Sequence, residues 1–179
     1  MPLSENHIFS EAVPPRMEKR EMGEYALAIF RIAVGYMMLW GFLDKMFGLG
    51  YETPAGGALI DGVSPSSYVV WMTGGIFGDL FDSIAGNAFI DFLMMAGMLV
   101  MGITLVLGIA SKLTTIFMGV FLFVMYCIHV PPTDNPILDY HITWIIALAA
   151  AYLLGGFDRI SLSARWKELG IVKRFTILE

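Results

Sequence analysis

The sequence predicts an all-α integral membrane protein: a four-helix bundle with both termini in the cytoplasm. Composition is the first reason. Of 179 residues, 57% are hydrophobic and 15% are charged, with a mean hydropathy of +0.70, whereas a soluble domain carries about 25% charged residues. Second, four apolar stretches qualify as membrane spans, for which a helix needs roughly 20 residues. Third, the basic residues gather at one side of those stretches, which is the signature that orients membrane helices.

Residues 1–24 are mostly polar, with Pro14 and Pro15, and read as a cytoplasmic N-terminal segment. They lack the apolar core of a cleavable signal, so the first span is expected to serve as its own insertion signal. The membrane domain follows at 25–157. Its first helix is expected at 25–43, "YALAIFRIAVGYMMLWGFL". A long extracytoplasmic connection comes next. Its first half is rich in Gly, Pro and acids and reads as loop. Its second half, Tyr68 to Phe81, is apolar but too short to span, and is expected to form an interfacial or re-entrant segment.

The second helix is expected at 88–110, the third at 113–130 and the fourth at 137–157. Only Ser111 and Lys112 separate the second from the third, and "PPTDNP" separates the third from the fourth. Connections this short make antiparallel neighbours. Residues 158–179 form a cytoplasmic tail whose "SARWKELGIVKRF" suits an anionic leaflet or, equally, solvent.

Arg16, Lys19, Arg20, Lys112, Arg159, Arg165, Lys167, Lys173 and Arg174 share the side assigned to the cytoplasm. On the other side Lys45 stands among Asp44, Glu52, Asp61, Asp79, Asp82 and Asp134. A multi-pass protein of the cell membrane, in contact with lipid, is the expectation.

Several function classes are disfavoured. Cys127 is the only cysteine, so this chain forms neither an internal disulfide nor a dithiol relay. No phosphate loop, dinucleotide fingerprint or nucleic-acid footprint is present, and no compact ligand motif predicts a metal.

The charges at membrane depth invite explanation. Arg31 lies inside the first helix, where an unpaired charge costs at least about 2–3 kcal/mol. Arg31, Gly35, Met38, Phe42 and Lys45 share one helix face. That face either borders a slot for an elongated apolar molecule with a polar head, or lets Arg31 and Lys45 reach the two headgroup layers. At the outer interface, Asp44 and Lys45 end the first helix, Asp91 opens the second, His129 ends the third, and Asp139 and His141 open the fourth. Either these groups meet around the bundle axis, or the acids cap helices and the histidines bond locally. Histidine beside a carboxylate is suited to moving protons near neutral pH.

Three stretches, "FRIAVGYMMLWGFLDKMFGLGYETP", "SIAGNAFIDFLMMAGMLVMGITLVLGIASKL" and "VPPTDNPILDYHITWIIALAA", resemble the DoxX/DoxD family of small four-helix membrane proteins over about residues 24–158. The resemblance implies a membrane oxidoreductase subunit like the DoxD subunit of thiosulfate:quinone oxidoreductase. Such a subunit would pass electrons from a small sulfur compound to membrane quinone, with a DoxA-like or other redox partner. On that analogy Arg31 and Lys45, with Asp44 and Asp91, would bind the anion or the quinone head, and Asp139, His141 and His129 would handle protons. A non-catalytic subunit that scaffolds a larger redox complex is the alternative. A four-helix transporter would need to form a homo-oligomer.

Overall fold

The computed structural model describes residues 19–67, 76–132 and 135–179. Among these the regular structure is entirely helical: α1 Lys19–Phe47, a 3-10 turn Leu59–Asp61, α2 Gly78–Ile84, α3 Ala88–Leu107, α4 Ser111–His129, α5 Tyr140–Leu153, α6 Ser163–Lys167, α7 Gly170–Arg174 and a last 3-10 turn Thr176–Leu178. Helices α1, α3 and α4 are long and apolar enough to cross a membrane.

Local chemistry sets the boundaries. The Asn87 side chain caps α3 by accepting the Phe89 N–H at 2.9 Å, and α3 ends where Gly108 turns left-handed at φ 67. The connection between α3 and α4 is therefore Gly108–Ala110, and Ser111 and Lys112 belong to α4 rather than to the turn expected there. Pro131 and Pro132 prevent α4 from continuing.

The fourth helix is shorter than the expected 137–157. Asn135 accepts the N–H groups of Ile137 and Leu138, both at 2.9 Å, and Asp139 then caps α5. Gly155 at φ 82 follows the last turn. At 1.5 Å per residue the 14 residues of α5 reach only about 21 Å, short of a hydrocarbon core of about 30 Å. Of the apolar segment Tyr68–Phe81, residues 68–75 lie outside the described residues, as does Asp134. Its described end turns into α2, and the Ile76 N–H donates to the Val130 carbonyl at 2.9 Å.

Helix α1 packs most extensively on α3, and α4 on α5; α1 also touches α5, and α3 touches α4. Glycine makes the first of these possible. A Cβ placed on Gly35 would lie 2.9 Å from the Val106 backbone nitrogen, and one on Gly102 would lie 2.7 Å from Leu39 Cγ. Small residues on facing helices let backbones approach closely. All four helices then contribute to one apolar core, with Val34, Met101, Leu105, Met118, Leu122, Leu148 and Ala151 joined by Phe157. Large apolar side chains such as Ile29, Phe92, Val100, Phe117, Val120 and Ile146 point outward and are exposed. Apolar surface on this scale is foreign to a water-soluble monomer and suits lipid.

Candidate functional site

The helices divide their ionisable groups between two ends. The loop end is where α1 finishes and the long connection to α3 crosses; the tail end carries α6 and α7.

At the loop end, Asp139 stands just before the first turn of α5. Its Oδ1 accepts the N–H of His141 at 2.9 Å and of Ile142 at 3.3 Å, satisfying amides that have no partner within the helix. Its Oδ2 accepts a hydrogen bond from His141 Nδ1 at 2.6 Å. The same carboxylate thus starts the helix and orients the buried imidazole. The ring of His129, from the last turn of α4, lies 5.3 Å from that of His141, centroid to centroid. His129 Nδ1 faces the Met125 carbonyl at 2.8 Å. A carbonyl only accepts, so the proton sits on Nδ1. Each imidazole is thereby held through Nδ1, and its Nε2 remains to take or release a proton. Tyr140 stacks on His141 at 4.0 Å and meets Trp144 edge-on at 5.4 Å. Tyr140 itself is exposed on the outer surface.

Asp44 and Lys45 form a second cluster. The Asp44 carboxylate accepts the N–H groups of Tyr51 at 3.3 Å and Thr53 at 2.8 Å, folding the chain back over the end of α1. Lys45 Nζ donates to Glu52 at 2.7 Å. Asp91 anchors a third cluster, accepting from Ser64 Oγ at 2.8 Å, Ser66 N at 2.9 Å and Ser66 Oγ at 2.6 Å. Ser66 Oγ in turn accepts the Gly86 N–H at 3.0 Å. These bonds tie the long connection to the first turn of α3. Asp91→Ala is expected to destabilise the fold by about 2–3 kcal/mol, because it leaves the buried Ser66 amide unpaired. Accelerated hydrogen exchange at Ser66 and Gly86, with wild-type exchange in α4 and α5, would report it.

Arg31 occupies the tail end, about 21 Å along α1 from Lys45. It is wholly buried. Nε donates to Gly156 O at 3.2 Å, Nη1 to Leu105 O and to Val106 O at 3.2 Å, and Nη2 to Arg159 O at 3.1 Å and Ile160 O at 3.0 Å. The guanidinium also lies 5.3 Å from the centre of the Phe157 ring. A guanidinium has five N–H donors, and every one is engaged. Leu105 and Val106 are in the last turn of α3, whose carbonyls have no intrahelical partner. Arg31 therefore joins the end of α3 to the turn after α5.

For both open questions about these charges, this arrangement disfavours the alternative that makes a site. The face of α1 bearing Arg31, Gly35 and Met38 does not border a slot, because α3 closes against Gly35 and Met38 packs on the core. The ionisable groups do not converge on one central pocket either. Those at the loop end form three clusters, each with its own partners, and the centre of the four helices is hydrocarbon. Arg31 and Asp91 have their polar atoms engaged by the fold and are poorly placed to hold a substrate. Asp139, His141 and His129 do come together. The pairing of Glu52 with Lys45 and of Ser64 and Ser66 with Asp91 had no signal in the sequence, since each meets its partner only after a loop folds back.

Among the described residues, no three His, Cys, Asp or Glu side chains are close enough together to hold a metal ion. Comparison with protein-family models, with curated proteins and with solved structures finds no match.

Proposed function

We propose that the chain is a four-helix integral membrane protein of DoxD type, working as the quinone-side subunit of an oxidoreductase that takes electrons from a thiosulfate-like sulfur compound. The tail end, with Lys19, Arg20, Lys112, Arg159, Arg165, Lys167, Lys173 and Arg174, lies at the cytoplasmic face; the loop end, with Lys45 alone, lies outside. The short α5 completes the bundle by packing on α4.

The observation that carries the reading is the pair of imidazoles, with ring centroids 5.3 Å apart and planes tilted by 35°, and with Asp139 Oδ2 2.6 Å from His141 Nδ1. Joining two thiosulfates through a new S–S bond releases two electrons, and reducing a quinone to the quinol consumes two electrons and two protons. His141 Nε2 delivers a proton at the quinone, Asp139 stabilises the imidazolium that reloads, and His129 stands next in line toward the outer surface. Electron entry falls to a partner of DoxA or similar type, because this chain contributes no dithiol of its own.

Thiosulfate-dependent reduction of decylubiquinone by the purified protein, alone and with candidate partners, tests this. His141→Ala is expected to lower turnover by about 100-fold, the scale of a lost general acid or base. Unchanged turnover in His141→Ala removes the proposed site. A wild type inactive with every partner supports a second reading, a non-catalytic scaffold of a redox complex. That reading is favoured by Arg31, Asp44 and Asp91, whose polar groups all serve the fold.

A further inference from the structure

The loop end carries a recess that the redox reading does not use. It is a cavity of about 260 Å³, walled by Tyr36, Trp40 and Gly41 of α1 and by Tyr51 of the following loop, with Asp44 and Glu52 at its edge. The turn back from α1 runs through Gly48 at φ 63 and Gly50 at φ 86, conformations that glycine adopts without strain. Asp44 then holds the returning chain by accepting the Tyr51 and Thr53 amides. As a result Tyr51 stands edge-on to Trp40, with ring centroids 5.1 Å apart and planes at 86°. Tyr36, one helical turn earlier, lies 6.3 Å from Trp40 at 25°. Three aromatic rings thus wall one small space.

Charge decides what such a space takes. Among the described residues, no cationic side chain lines it. Asp44 is buried, and Glu52 is exposed with one carboxylate oxygen on Lys45 Nζ at 2.7 Å. Among the described residues its other oxygen has no hydrogen-bond partner. The Lys45 side chain is only 8% exposed and stays behind Glu52. Two carboxylates against one ammonium leave one negative charge beside the rings. Aromatic faces attract cations through their quadrupoles, most strongly for quaternary ammonium groups shielded from water. The volume lies below that of pockets for drug-sized ligands, which start at about 300 Å³, so the recess suits a small head rather than a large molecule.

We propose that this recess binds an organic ammonium group of the choline or ethanolamine kind, either free or as a lipid headgroup. Tyr51 and Glu52 are exposed at the loop end, so a lipid can present its headgroup to the recess from the headgroup layer on that side. The proposal does not depend on the redox reading.

The full chain, purified in a maltoside detergent, is titrated calorimetrically with tetramethylammonium chloride and with choline chloride, against sodium chloride as the control. In parallel it is placed in vesicles of equal phosphatidylcholine, phosphatidylethanolamine and phosphatidylglycerol, and the lipids it retains are counted by native mass spectrometry. Saturable ammonium binding is expected, weakened about tenfold by Tyr51→Leu and kept by Tyr51→Phe, because a cation–π contact uses the aromatic ring, which phenylalanine keeps. Tyr51 is on the surface, so neither variant threatens folding, and Glu52→Gln should weaken binding in the same direction. Preferential retention of the choline and ethanolamine lipids, reversed by added choline, identifies a lipid headgroup as the source. Saturable choline binding without lipid preference identifies a free solute. Absence of saturable binding by either salt, with all three lipids retained equally, overturns the proposal. So does binding that Tyr51→Leu leaves unchanged.

Discussion

Arg31→Leu is expected to destabilise the protein by about 3–5 kcal/mol, the largest effect of any single substitution at a charged position. The reason is geometric. Leucine fills part of the space but leaves the carbonyls of Leu105, Val106, Gly156, Arg159 and Ile160 without their donor. These lie at the end of α3 and after α5, where no backbone N–H remains to replace it. Arg31→Lys should recover little. Lysine has three donors on a single nitrogen and cannot span carbonyls spread around a planar fork. Denaturant titration in mild detergent, followed by circular dichroism, measures the loss. Had Arg31 served a bound anion instead, Arg31→Leu would retain wild-type stability and change only substrate affinity. An unaltered midpoint would therefore refute the stapling role.

Gly35→Val is expected to cost about 3 kcal/mol or more, at the upper end of overpacking. Any Cβ at this position meets Leu105 Cβ at 2.8 Å and the Val106 backbone nitrogen at 2.9 Å. A neighbouring side chain can swing aside, but helix backbone cannot, so α1 and α3 must separate along their length. Arg31 lies one turn away and reaches carbonyls in the same turn of α3, so separation also loosens its hydrogen bonds. Gly119→Ala is the control, since a Cβ there meets nothing within 4 Å. In an open helical position, alanine should stabilise by up to about 1 kcal/mol. Opposite signs at the two glycines, read by thermal unfolding in the same detergent, separate backbone approach from helix propensity. Equal effects would mean that α1 and α3 are not in close contact at Gly35.

The two substitutions also divide the possible origins of any loss of redox turnover. His141→Ala should leave the unfolding midpoint closer to wild type than Arg31→Leu does, because the Asp139 cap on the His141 and Ile142 amides survives. Turnover lost with little stability is then assigned to chemistry, and turnover lost together with stability to the fold.

Much of this protein could be read from local sequence. Hydropathy and helical period determined the helical class and the positions of three spans, because both are properties of consecutive residues. The role of Asp139 as a helix cap was legible for the same reason, as its partners are two and three residues away. Helix ends were less so, since Asn135, Gly108 and Gly155 act through turns that hydropathy does not register.

Tertiary structure alone decided what the buried charges do. The partners of Arg31 lie 74 to 129 residues along the chain, and a carbonyl acceptor carries no residue-type signal, so an arginine stapling backbone reads the same as one awaiting a ligand. The α1 face with Gly35 likewise reads as a slot until α3 is packed into it. Asp91 finds Ser64 and Ser66 only after a loop of two dozen residues has folded back. Sequence determined where the charges are, through a short-range code of polarity and period; only the packing of α1 on α3 and of α4 on α5 decided which of them remained free for chemistry, because a hydrogen bond is satisfied by proximity in space, whatever the distance along the chain.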